Sequence, residues 1–138
     1  MNDPEKSLLP IKFILGEWKG EGQSFGQPIT GHLRAQLRFR NTFIQLEEKL
    51  FQPDGALDYE DSSWIGLDSA QNRLSVTHFM APATIERKLL ILNETGFYWW
   101  VGPTAPIVWF TSVDRNLRIR VTSISDEILV DMNYKRVG

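Results

Sequence analysis

Turn-forming groups punctuate this chain from end to end, and most segments between them alternate apolar and polar residues. The groups fall at 26–28, 40–41, 53–55, 68–72, 81–83, 93–96, 102–106, 114–116 and 125–126. A spacing of about 8–14 residues is that of short antiparallel strands joined by hairpins. Within 31–40, Leu33, Ala35, Leu37 and Phe39 share one face, while Arg34, Gln36, Arg38 and Arg40 take the other. In 73–80, Leu74, Val76, His78 and Met80 alternate with Arg73, Ser75 and Thr77. Segment 116–123 sets Leu117, Ile119 and Val121 against Arg118, Arg120 and Thr122, and 127–134 aligns Ile128, Val130, Met132 and Tyr134. One apolar face and one wet face describe a sheet wrapped around a single core. The pattern predicts an all-β fold of about ten strands. A meander of that size curls, and closure removes its edges, so an up-and-down β-barrel is expected, with a sandwich as the alternative.

Only 3–15 breaks the pattern. Asp3 can cap, Pro4 suits a first helical turn, and Leu8, Leu9, Ile11, Ile14 and Leu15 follow. A short helix across one end of the barrel is expected, and Pro10 argues against a long one. Residues 1–15 would thus form a cap and 16–138 the barrel, in a single domain.

Composition narrows the function classes. The 138 residues include 15 Lys+Arg and 17 Asp+Glu, for a net charge of −2, which argues against nucleic-acid binding through phosphate neutralisation. With no cysteine there is no disulfide, thiolate metal site or Cys nucleophile. No apolar run approaches membrane-helix length. Residues 1–6 have no cationic and apolar leader pattern, so a cytoplasmic location is the expectation. Two histidines make a dedicated transition-metal site poor on numbers, and Asp54, Asp58 and Asp61 do not match a calcium loop.

The most specific local signal is Gly16-Glu17-Trp18-Lys19-Gly20-Glu21-Gly22. Trp18 can plug the barrel end. Gly20 and Gly22, on the same face, leave room for a sharp bend or for other side chains to fill. This stretch resembles the opening strand of calycin-like barrels. Lipocalins carry a related Gly-x-Trp, and nitrobindin-like haem-binding barrels carry Gly-x-Trp-x-Gly-x-Gly, which Gly16, Trp18, Gly20 and Gly22 match. The resemblance implies a ten-stranded barrel with an internal cavity for a hydrophobic or planar ligand. It does not extend to haem, because the group binds iron through a C-terminal histidine and 79–138 contain none. Tyr134 could ligate ferric iron in principle, but nothing in the sequence singles it out.

Several side chains are candidates for the cavity. His78 shares a face with Leu74, Val76 and Met80, as a core histidine or as a polar anchor. Glu48 alternates with Ile44, Leu46 and Leu50, and Arg87 with Ile85, Leu89 and Ile91. Both are charges on apolar faces, costly to bury alone and able to pair across a cavity. A bulge would turn Glu48 outward, and the other register of 85–92 would turn Arg87 outward and Leu90 and Leu92 inward. In Phe97-Tyr98-Trp99-Trp100, alternation sends one Trp inward and one towards the surface, where it would suit a stacking wall or a homodimer interface. The Arg34, Arg38 and Arg40 stripe, the Arg118 and Arg120 pair, and His32 read as solvated faces. The loops at 81–83 and 102–106 would frame a mouth.

The expected function is binding of a small hydrophobic or planar molecule inside the barrel, without a cofactor. The expected wall is Trp18, Phe39, Leu46, Trp64, Val76, His78, Trp99 and Ile119, with Arg87 as a second polar anchor. Two other classes stand beside it. One is a cofactor-free isomerase, cyclase or lyase using His78 with Glu48 or Arg87. The other is an interaction module with a filled barrel and an interface containing Trp100 or Tyr98.

Overall fold

The computed structural model describes residues 3–80, 83–102 and 106–137. Most of the loops at 81–83 and 102–106 therefore lie outside the described residues. Asp3 caps as expected: its Oδ1 accepts the backbone N–H groups of Glu5 and Lys6, and a 3-10 helix follows at Lys6–Ile14. Strands β1 (Gly16–Ser24), β2 (Gln27–Arg38), β3 (Phe43–Phe51), β4 (Leu57–Asp68), β5 (Arg73–Met80) and β6 (Thr84–Leu89) come next. They are followed by β7 (Ile91–Leu92), β8 (Gly96–Trp100), β9 (Ile107–Val113), β10 (Asn116–Thr122) and β11 (Ile128–Arg136).

All eleven strands form one antiparallel sheet. Each strand from β1 to β6, and each from β7 to β11, pairs with its sequence neighbour, and β11 pairs with β1. The result is a nearly closed up-and-down barrel. Only Leu90 separates β6 from β7. The stretch 84–92 behaves as one bent strand, pairing first with β5 and then with β8, which reconciles eleven strands with the expected ten.

Hairpin turns form where two adjacent residues accept positive φ, at Phe25–Gly26 and at Asp114–Arg115, as the twist of the flanking strands requires. The helix closes one end of the barrel. Leu8, Ile11 and Ile14 are fully buried in the core. Trp18 donates its indole N–H to Ile14 O at 2.8 Å, tying the helix to β1, and Arg136 lies 4.2 Å from the Trp18 ring centre. Trp18 thus plugs the closed end, as the sequence suggested.

The glycines beside Trp18 serve one residue of β11. Gly20 faces Gly31 on β2 and Tyr134 on β11. A Cβ at Gly20 would stand 2.6 Å from Tyr134 Cδ1, and one at Gly31 would meet the Tyr134 hydroxyl. The Tyr134 ring therefore lies over two facing positions, one on β1 and one on β2, that carry no side chain. Its hydroxyl reaches a third strand, donating to Glu48 Oε2 at 2.6 Å. Among the described residues no helix is long and apolar enough to cross a membrane.

Candidate ligand-binding site

At the end away from the helix the barrel encloses a cavity of about 300 Å³. Most of its wall is apolar, with Leu33, Leu46, Trp99, Phe110, Ile119 and Val130 among the lining residues. The β1–β2 turn at Ser24 and Phe25 and the flanks of the β8–β9 loop at Val101 and Pro106 border it.

The polar groups sit together on three neighbouring strands. On β4, alternation turns Tyr59, Asp61 and Ser63 inward, ahead of the fully buried Ile65. Register then sets Glu48 on β3 opposite Asp61, Ser63 opposite His78 on β5, and His78 opposite Glu86 on β6. Each carboxyl has a phenol as donor. Tyr134 donates to Glu48 Oε2, and Tyr59 donates to Asp61 Oδ2 at 2.7 Å.

His78 is buried. Its Nδ1 shares a hydrogen with Ser63 Oγ at 2.6 Å, and its Nε2 lies 3.9 Å from Asp61 Oδ2. That second separation is beyond a hydrogen bond, so Nε2 is free to meet a group in the cavity. Depending on which atom holds the Ser63–His78 hydrogen, Nε2 is either donor or acceptor.

Burial dominates the protonation of this cluster. It pushes the Glu48 carboxyl from an ordinary 4.5 up to about 7, against the opposing pull of the Tyr134 hydrogen bond. Burial, followed by the neighbouring Glu48 charge, holds Asp61 well above the carboxylate range. Burial lowers His78, with Glu86 pulling the other way, so the imidazole is neutral at neutral pH. Tyr59 and Tyr134 are raised by burial first and by their carboxyl partners next, and both stay protonated donors.

Of the expected wall, Leu46, His78, Trp99 and Ile119 line the cavity. Glu48 joins them. The only irregularity between β3 and β4 falls at Leu50/Phe51, past Glu48, so no bulge turns it out. Trp99 is the inward tryptophan of its run, and Trp100 is exposed.

Five expectations need correction. Trp18 and Val76 are buried but belong to the core rather than to the cavity wall. Phe39 lies past the end of β2, where Phe39, Arg40 and Asn41 all take positive φ, and it is 67 % exposed. Trp64 has the outward parity of β4, between Ser63 and Ile65, and stacks outside on Phe39 at 5.4 Å. Arg87 points outward and pairs with Asp68 at 2.8 Å, since His78 pairs in register with Glu86. With Arg87 outward, Leu90 is buried, whereas Leu92 remains 36 % exposed.

Tyr59, Asp61, Ser63 and Tyr134 escaped the sequence reading as site residues. The alternation of 57–68 carried the signal for the first three, since Ile65 fixes the inward parity. Among the described residues no group of three or more His, Asp or Glu side chains is placed to hold a metal ion. No protein-family model matches the chain, and no curated protein matches it.

Proposed function

We propose that this protein is a small-molecule-binding barrel of the calycin type, holding a largely apolar ligand whose polar end meets the Glu48–Asp61–His78 side of the cavity. The observation that carries the reading is the cavity itself, apolar over most of its wall, with its polar groups converging on one side. A filled barrel acting only as a scaffold would leave no such space. The match of Gly16, Trp18, Gly20 and Gly22 to calycin-like barrels supports the same reading, with a cytoplasmic setting as its default.

A second reading is favoured by one contact. The neutral, Ser63-bound His78 could act as a general base beside the Asp61 carboxyl, which burial favours in its protonated form, the arrangement an isomerase needs. Binding comes first in either case.

Two measurements test binding. Native mass spectrometry of the protein as purified should show an added mass that leaves on gentle activation, and titration with octanol should change tryptophan fluorescence saturably, because Trp99 lines the cavity. Ile119→Trp, which fills the cavity, should lose both signals while the barrel stays folded. A bare mass together with no saturable octanol response overturns the proposal.

A further inference from the structure

We infer that the cavity's natural ligand is a cationic amphiphile, its protonated nitrogen seated between Glu48 and Asp61 and its apolar body against the Trp99 side of the cavity. The inference deepens the binding proposal and rests on it.

The first argument is one of sign. Two carboxyls face each other at the same register position, and like charges so placed repel. A third acid, Asp58, stands at the cavity rim, and Glu86 lies opposite His78. No Lys or Arg among the described residues lines the cavity. On β6, Lys88 shares the parity of Glu86 but pairs with Val76, outside the cavity lining. The remaining titratable groups facing the pair are Tyr59, His78 and Tyr134, and none of them carries positive charge at neutral pH. The site is thus acidic and has no counter-charge of its own.

The second argument is how the carboxyls are held. Tyr134 and Tyr59 each donate to one oxygen, a hydrogen bond that favours the ionised form. In each case the other oxygen stays open to a ligand. An ammonium group supplies both the missing charge and the missing donors.

A third, independent observation points to a ligand. Trp99 is 1 % exposed and lines the cavity, yet its indole N–H has no partner among the described residues. A buried donor without an acceptor is costly, and a hydroxyl, ether or carbonyl oxygen on the ligand would satisfy it. The class is therefore an apolar amine that also carries an oxygen acceptor.

The protons balance simply. An ammonium ion entering beside a protonated carboxyl leaves an ammonium–carboxylate pair, and one proton goes to solvent.

The test uses three probes with one chain and different heads: octylammonium, octanol and octanoate, each titrated against tryptophan fluorescence near neutral pH. Octylammonium should bind at least tenfold more tightly than octanol, a difference of about 1.4 kcal/mol, with octanoate weakest. In the Glu48→Gln, Asp61→Asn double variant, which keeps both tyrosine hydrogen bonds, that ratio should collapse to about one. Should the double variant fail to fold, calorimetry of the wild type in two buffers of different ionisation enthalpy serves instead. Octylammonium should release protons and octanol should not. Octanol or octanoate binding as tightly as octylammonium overturns the cation inference and leaves the cavity reading standing. Binding of none of the three overturns both.

Discussion

Replacing Tyr134 with alanine is expected to lower the unfolding free energy by about 3–5 kcal/mol, the range for emptying a large aromatic site in a core. The ring is fully buried on the Gly20–Gly31 pair, where neither glycine offers a side chain to fill the space. The loss also strips Glu48 of its donor. A mutant cycle separates this account from ordinary core damage. Gly31→Ala alone should cost about 1–3 kcal/mol, because the new methyl group collides with the Tyr134 ring and hydroxyl. In the Tyr134→Ala background the same change should be neutral or stabilising, since the atoms nearest the added Cβ are side-chain atoms of Tyr134 and the flexible end of Met132. Urea denaturation of the four proteins gives the coupling. Additive costs would mean that the glycines do not exist to seat Tyr134.

The second large effect is on the pH dependence of stability, where Glu48→Gln should remove a decline that the wild type shows. In the unfolded chain Glu48 sheds its proton near 4.5, whereas the folded protein keeps it to about 7. Between those values the folded state holds more protons, so stability falls as pH rises. The contribution is complete below the unfolded value and is lost through the folded one, a decline of roughly 3 kcal/mol for this group. Asp61, also raised, acts in the same direction. His78, being lowered, acts in the opposite sense: its contribution is present above 6.5 and is lost as pH falls. The comparison of wild type with Glu48→Gln isolates the carboxyl, and the glutamine amide oxygen can still accept from Tyr134. Denaturation at about pH 5 and about pH 8 should show the wild type losing much more stability than the variant. Parallel losses would place the titration elsewhere.

The barrel was legible in the sequence because period-two alternation reports directly on which side of a strand faces the core. Leu33, Ala35, Leu117, Ile119 and Met132 all lie where their parity put them. The reading failed where a segment stops being a strand. Phe39 continues the inward parity of β2 on paper, but it is itself the first of three successive positive-φ residues that turn the chain. It failed again where size was weighed above parity. Trp64 looks like core and Ser63 like surface, yet the fixed position of Ile65 reverses them.

The buried acids were harder still. An isolated carboxylate on an apolar face is costly, which favours an outward assignment for Glu48. What makes its burial tolerable is a hydroxyl 86 residues away, brought near by the closure of β11 onto β1. No local pattern encodes that contact. The four inward polar residues of β4 and β5 — Tyr59, Asp61, Ser63 and His78 — become a site only once the strands are in register.

The bend at Leu90 gives the wall a seam. Over Thr84–Leu89 the chain is laced to β5 on one side only, and β7 is laced only to β8. Across the gap the Gly102 amide donates to the Glu86 carboxylate, among the described residues a single side-chain tether where elsewhere a ladder runs. Opening free energy follows the density of such ties, so amide hydrogens of β6 facing β8 should exchange with solvent far faster than those of β2 and β3. The row Ser63–His78–Glu86 ends at this seam. Breathing there would widen the cavity from the side while the helix-capped end stays shut, and the barrel as a whole need not unfold for it.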